Sequence, residues 1–207
     1  MKIAIIVEGK TEKAFIQRLR EYLKTKLAGK MPKLKPLPYD GRIPTCDKLK
    51  RVVEGLLSGK DAVDAVIALT DVYTGSNPPE FEDAADAKAK MRKWVGKEQR
   101  FYPHVAQHDF EAWLLPYWDK LVNLAKCDGK PPTKGDPEKV NHGKPPAHII
   151  SELFERGKCR DSYVKPRDAG RILRDSDLAI SIKQCSELRN LVERIILLCG
   201  GDLQSID

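Results

Sequence analysis

Acidic residues follow three apolar segments of this chain, each at the point where the segment ends. Glu8 follows an Ile-rich run, Asp71 follows a second apolar run, and Asp109 and Glu111 follow a third. If the runs are neighbouring parallel strands, their carboxyl ends meet at one edge of a sheet, and the carboxylates converge there. Like charges held together are costly unless a cation lies among them. Ligands with oxygen donors alone favour Mg²⁺ or Mn²⁺ over zinc.

The elements that would position these acids follow from the spacing of the apolar residues. Buried strands are predicted at residues 2–7, 66–70 and 101–107, with an edge strand at 34–39 that contains two prolines. Between the strands, apolar residues recur at helical spacing from Glu12 onward and at residues 49–57 and 81–94. This alternation predicts an α/β fold, a parallel sheet flanked by helices.

The second half of the chain differs in composition. Residues 126–146 are dominated by Lys, Pro, Gly and Asp, which predicts an exposed basic loop. Helical apolar patterns return from residue 147 to the end. We therefore expect a metal-binding α/β domain at residues 1–125, a Pro/Gly-rich loop at 126–146 and a helical C-terminal extension at 147–207.

Charge and composition narrow the class of protein. Lys and Arg number 37 against 30 for Asp and Glu, a net charge of +7 that suits a polyanionic partner such as nucleic acid, although solubility alone explains it equally well. The chain has no apolar stretch long enough for a membrane span and no signal-peptide pattern. Five cysteines without a Cys-x-x-Cys pair indicate reduced thiols. A cytoplasmic protein without membrane contact is the expectation.

Three short motifs resemble a known family. The sequence V-E-G-K-T-E at residues 7–12, after an Ile-rich strand, resembles the first motif of Toprim domains. Those domains occur in topoisomerases, bacterial primases and the overcoming-lysogenization-defect nucleases. The sequence L-T-D-V-Y at 69–73 lies where that fold carries its Asp-x-Asp motif. With Q-H-D-F-E-A-W-L-L at 107–115, the set resembles a small uncharacterised Toprim-like family of bacteria.

The resemblance implies a metal-dependent phosphodiester site. Its expected metal ligands and its expected catalytic residues overlap. The ligands would be Glu8, Glu12, Asp71 and Asp109, and the catalytic residues Glu8, Asp71 and Glu111. Tyr73 stands where the second acid of Asp-x-Asp belongs, which leaves open whether one or two metals bind. Glu12 has an alternative role as a solvated acid in the first turn of a helix.

Four residues are predicted to contact nucleic acid near this site, namely Lys10, His108, Lys165 and Arg167. Basic side chains around an acidic metal site would attract the phosphate backbone. For Lys10 the alternative is a solvated lysine, and for His108 it is a hydrogen bond to the backbone.

Two functions from different classes follow from the resemblance. The first is a Mg²⁺-dependent nuclease, an effector subunit of a bacterial phage-defence system that works beside a separate ATPase of the ABC or SMC type. The second is a non-catalytic Toprim-like module that binds nucleic acid, senses it or docks onto such an ATPase. Phosphoryl or nucleotidyl transfer to a small molecule is a third alternative, and homo-oligomerisation stays open.

Overall fold

The structure is a computed structural model of the 207-residue chain. It describes residues 1–27, 29–73, 79–132, 136–139, 143–157 and 162–206, without the side chains of Lys10 and Ser205.

A four-stranded parallel sheet in the order β2-β1-β3-β4 forms the centre of the described fold. The strands are β1 (Lys2–Val7), β2 (Lys33–Pro38), β3 (Ala65–Asp71) and β4 (Phe101–Ala106). The two inner strands are almost wholly apolar because helices cover both faces of the sheet. The Pro-containing β2 lies at an edge, where a missing backbone N–H disrupts no ladder. The predicted α/β class and the predicted edge strand are confirmed.

Helices pack on both faces of the sheet. The α-helices are α1 (Lys10–Lys26), α2 (Cys46–Ser58), α3 (Ala84–Val95), α4 (Trp118–Ala125), α5 (Pro146–Arg156), α6 (Lys165–Leu173), α7 (Leu178–Gln184) and α8 (Ser186–Leu198). Apolar residues of α2 and α3 form one core with one face of the sheet. Residues of α1 and of α4 to α8 form the second core with the opposite face. The predicted helical C-terminal extension is therefore present and packs on the sheet.

The structure refines the segments that follow β1 and β4. Helix α1 begins at Lys10, two residues earlier than the apolar spacing indicates, with Gly9 as its N-cap. The segment after β4 is a 3₁₀ helix, Phe110–Tyr117, rather than a regular α-helix. The rings of Phe110 and Trp113 lie 5.5 and 5.3 Å from the ring of Phe15 on α1. This aromatic contact fixes the 3₁₀ helix beside the end of β1.

The basic segment 126–146 is partly tied to the core. Its residues 133–135 and 140–142 lie outside the described part, but a short 3₁₀ helix, Pro137–Lys139, is described. Glu138 in that helix is only 4% exposed and accepts hydrogen bonds from Trp113 Nε1 (2.8 Å), Ser186 Oγ (3.0 Å) and the backbone N–H of Glu187 (2.9 Å). The division of the chain at residues 125 and 146 stays a prediction.

In the described part of the chain, every helix is too short or too polar to cross a lipid bilayer.

Candidate functional site

Glu8 lies directly after β1 and is held by the end of β3. Its Oε1 accepts hydrogen bonds from the Thr70 hydroxyl and from the backbone N–H of Asp71 (3.0 Å). Parallel pairing places Val7 opposite Leu69, so both strands end at the same edge of the sheet. Burial raises the pKa of Glu8, the nearby Glu12 carboxylate adds to the rise, and the two hydrogen bonds oppose it.

Asp71 ends β3 at the centre of the acidic group. Burial raises its pKa well above the usual range, and four further carboxylates reinforce the rise. In order of decreasing effect they are Glu8, Asp109, Glu111 and Glu12. We call these five residues the acidic cluster. The fold brings these carboxylates near one edge of the sheet, and their roles as metal ligands or catalytic residues stay predictions.

Asp109 is the N-cap of the 3₁₀ helix that follows β4. His108, with a φ of +64°, turns the chain out of the strand, and its carbonyl accepts the backbone N–H of Tyr73 (2.5 Å). Asp109 is 3% exposed, and its Oδ2 accepts the backbone N–H of Ala147 (3.0 Å). Its Oδ1 is buried and has no hydrogen-bond partner among the described residues. Burial and the neighbouring Glu111 raise the pKa of Asp109 to about 7.

Glu111 is fully buried and is held by two residues of the C-terminal extension. Its Oε1 accepts a hydrogen bond from the Tyr163 hydroxyl (3.2 Å), and its Oε2 accepts one from Lys165 Nζ (3.1 Å). The Lys165 side chain is half exposed, at the rim of the cluster. Burial disfavours its ammonium form, but attraction by Glu111, Asp71 and Asp109 outweighs that effect and raises its pKa.

Glu12 lies in the first turn of α1 and is 8% exposed, so the alternative of a solvated acid is wrong. Burial raises its pKa, and Glu111 is a further cause. A Cβ at Gly9 would come within 3.6 Å of Glu12 Oε2. Glu12 therefore lies close to the other carboxylates of the acidic cluster.

Among the residues predicted to contact nucleic acid, the three whose side chains are described have different surroundings. The side chain of Lys10 lies outside the described residues, and His108 is 4% exposed. Arg167 is engaged with the fully buried Asp168 through Nε–Oδ1 (2.9 Å) and Nη2–Oδ2 (3.0 Å) contacts. Lys165 contacts Glu111 of the acidic cluster. Phosphate contact by any of the four residues stays a prediction.

The donors of the acidic cluster suit a hard divalent cation, since they are all carboxylate oxygens. Asp109 Oδ1 is a buried carboxylate oxygen, and a bound cation would supply the partner that it lacks among the described residues. In the positions they occupy, however, no three Asp, Glu, His or Cys side chains of the described residues close around one point. Loading would therefore require side-chain rotation.

Two residues of the site were not predicted from the sequence. Thr70 positions Glu8, and Tyr163 positions Glu111. Thr70 directly precedes Asp71, where a hydroxyl at a strand end could have been noticed. Tyr163 and Lys165 are two residues apart, a spacing that places both side chains on one side of an extended segment. That spacing indicates from the sequence alone that Tyr163 and Lys165 could serve the same site.

Comparisons with known proteins agree with this fold. The chain superposes on the C-terminal region of the Burkholderia pseudomallei OLD protein with a TM-score of 0.54 and 14% identity, over 95% of this chain and 98% of that one. The C-terminal region of the Xanthomonas campestris pv. campestris OLD protein gives a TM-score of 0.48 and 13% identity, over 96% of both chains. No functionally curated protein matches. Residues 7–196 match the model of a family described as a domain of unknown function, DUF4276, and the chain belongs to that family.

Proposed function

We propose that this protein hydrolyses phosphodiester bonds of nucleic acid with Mg²⁺ or Mn²⁺ at the acidic cluster. One observation carries the proposal: carboxylates from the ends of three neighbouring parallel strands meet beside one half-exposed lysine. The motif resemblance to Toprim domains and the fold shared with the OLD region support it. The net charge of +7 suits a polyanionic substrate.

Glu8, Asp71 and Asp109 would hold the cation, with Glu12 within reach of the same site. Burial raises their pKa values most, and repulsion between neighbouring carboxylates adds to the rise. A divalent cation would stabilise the charged carboxylates and so oppose both effects. A bound divalent cation would lower the pKa of a water molecule and offset charge on the scissile phosphate. For Asp109 Oδ1, the cation would supply the partner that this buried oxygen lacks among the described residues.

Glu8 is suited to proton transfer. The Thr70 hydroxyl and the Asp71 N–H both bind Oε1, so they fix the carboxylate plane. Burial raises the pKa of Glu8 before the cation binds, and a carboxylate that keeps part of this rise in the loaded site is a better base at neutral pH than an ordinary one. In this proposal, Glu8 accepts the proton of the attacking water.

Lys165 would bind the substrate phosphate. Its side chain is half exposed, whereas the side chain of Glu111 that it contacts is buried, so a phosphate can approach from the solvent side. Glu111 and Tyr163 would then act as positioning residues that hold the lysine at the rim. A cation aimed at the developing negative charge is a common source of rate enhancement.

The biological setting is also part of the proposal. From the Toprim-like motifs we expect an effector in bacterial phage defence that works with a separate ABC- or SMC-type ATPase. Affinity purification from the native host that yields no ATPase, under conditions that preserve complexes, would argue against that partnership. The hydrolytic proposal does not depend on it.

The central experiment measures cleavage of supercoiled plasmid, linear duplex, single-stranded DNA and RNA with Mg²⁺, Mn²⁺ or EDTA. We expect cation-dependent cleavage by the wild-type chain and none by Glu8→Gln. Glu54→Gln, an exposed glutamate on α2, is the matched control and should retain activity. Equal cleavage by Glu8→Gln and wild type would refute the proposal.

A non-catalytic module is the second candidate, and two observations favour it. Tyr73 stands at the position of the second acid of the Asp-x-Asp motif, and its 49% exposure argues against a role as a metal ligand. The described carboxylates also do not close around one ion as they stand. Calorimetry with Mn²⁺ separates the two candidates, since saturable binding abolished by Asp71→Asn supports the hydrolase. Absence of binding, with retained affinity for nucleic acid, supports the module.

A further inference from the structure

A polar cavity of about 410 Å³ lies along the outer edge of β4 between α3 and α8. It is distinct from the acidic cluster, which lies at the carboxyl end of the sheet. Helix α3 contributes Lys88 and Arg92, β4 contributes Tyr102 and His104, and α8 contributes Glu193 and Arg194. Cavities of this size commonly enclose small molecules.

The charge around this cavity is positive, with three cations and one carboxylate among its lining residues. Lys88 is satisfied by Glu187, whose two carboxylate oxygens lie 2.8 Å from Nζ. Within the described chain, neither arginine pairs with a carboxylate: Arg92 donates to the Glu98 carbonyl (3.1 Å), and Arg194 lies 5.0 Å over the Tyr102 ring. Burial and the nearby Arg194 lower the pKa of Arg92. The two guanidinium groups therefore repel each other across the cavity.

His104 supplies an independent observation. It is 6% exposed, and its Nδ1 is buried with no hydrogen-bond partner in the part of the chain that the structure describes. An unsatisfied buried nitrogen costs free energy, so it calls for a physical explanation. Burial, Lys88 and Arg194 lower the pKa of His104 to about 3, so the ring is neutral and has one N–H to donate. Because His104 lines the cavity, a rotation of its ring would turn that N–H to a ligand oxygen held there.

We propose that this cavity binds the phosphate group of a nucleotide. The guanidinium groups of Arg92 and Arg194 would bind its oxygens, because planar forks match phosphate geometry. The His104 ring would donate to the same group, and Tyr102 would flank the nucleoside. Neither the acidic cluster nor its hydrolytic chemistry enters into this site, so it goes beyond the proposed function.

Isothermal titration calorimetry on the full chain in EDTA tests the site with three probes: inorganic phosphate, AMP and a 12-nucleotide single strand. We expect AMP to bind more tightly than phosphate, and Arg194→Gln to weaken binding about tenfold or more. Lys93→Gln removes the same charge from the exposed position beside Arg92, outside the cavity, and should change affinity less than about twofold. Glu8→Gln should bind like wild type, which separates this site from the acidic cluster.

His104→Leu distinguishes ligand binding from a structural role of the histidine. Removing an unsatisfied buried polar group should leave the melting temperature unchanged or raised, while affinity for AMP falls. A strand that binds in place of AMP, and is weakened by Arg194→Gln, supports the site with the phosphate in a polynucleotide. Phosphate that binds as tightly as AMP overturns the nucleotide assignment. No binding of any probe, or equal effects of Arg194→Gln and Lys93→Gln, overturns the proposal.

Discussion

The ammonium of Lys165 lies 3.1 Å from the carboxylate of Glu111, although the two residues are 54 positions apart in the chain. Glu111 comes from the 3₁₀ helix after β4, and Lys165 opens α6 in the C-terminal extension. This contact joins the sheet edge that carries the acids to the helices packed beside it. The site is therefore built from both halves of the chain, which has consequences for function and stability.

Lys165→Met should lower the rate of cation-dependent cleavage by about 100-fold or more, because one cation that stabilises developing charge is lost. Lys183→Met, an exposed lysine on α7, should leave the rate within about twofold. Initial rates and melting temperatures of both variants provide the check. A fully active Lys165→Met variant would mean that the lysine serves only to pair with Glu111.

Asp71→Asn should have opposite effects on stability with and without a divalent cation. In EDTA the amide removes a repelled carboxylate, so the free energy of unfolding should rise by about 1 kcal/mol. With Mn²⁺ at 100 times its dissociation constant, the wild type should gain about 2.7 kcal/mol and the variant far less. Urea denaturation in both conditions measures this. Asp61→Asn, at an exposed position, should gain from Mn²⁺ like wild type; parallel responses of Asp71→Asn and wild type would contradict the metal site.

Glu138→Ala should lower the free energy of unfolding by about 3 kcal/mol, because it leaves three hydrogen-bond donors without their acceptor. The loss should extend to the attachment of segment 126–146, read out as faster proteolysis within that segment. Lys139→Ala changes the exposed neighbour and should stay within about 0.5 kcal/mol of wild type. Equal stability of both variants would show that Glu138 does not hold the segment in place.

His104 should make the protein less stable as pH falls. Its folded pKa is about 3, below the usual 6.5, so between these values the unfolded state binds a proton that the folded state does not. Stability is therefore lost as pH drops below 6.5, by up to about 1.4 kcal/mol per pH unit from this group. Asp71 and Asp109 act in the opposite direction, because their raised pKa values favour the folded state at low pH.

The contribution of His104 is isolated by comparing urea midpoints at pH 7 and pH 5. His104→Leu should lose less stability between the two pH values than wild type. His148→Leu, at an exposed histidine beside Glu152, is the control and should follow wild type closely. Identical pH dependence in all three proteins would show that His104 is not held neutral.

Local sequence patterns determined the core of this fold. The Ile- and Val-rich runs before Glu8 and Asp71 predict the inner strands, because a strand covered on both faces must be apolar along its length. Once the strands are parallel, their carboxyl ends share one edge, so the meeting of Glu8, Asp71, Asp109 and Glu111 follows from chain order. The sequence alone therefore predicts these acids at the ends of the strands.

The tertiary structure alone decided which distant groups complete the site. Lys165 and Tyr163 contact Glu111 only because α6 packs against α1 and the 3₁₀ helix, a contact that no local periodicity encodes. The same holds for Glu138 beneath Trp113 and for the orphaned nitrogen of His104. Periodicity reports which face of an element is buried, but the partner it meets depends on how all the elements pack together. The strand-end acids follow from the sequence, whereas the packing of α6 decides that the Lys165 ammonium lies beside them.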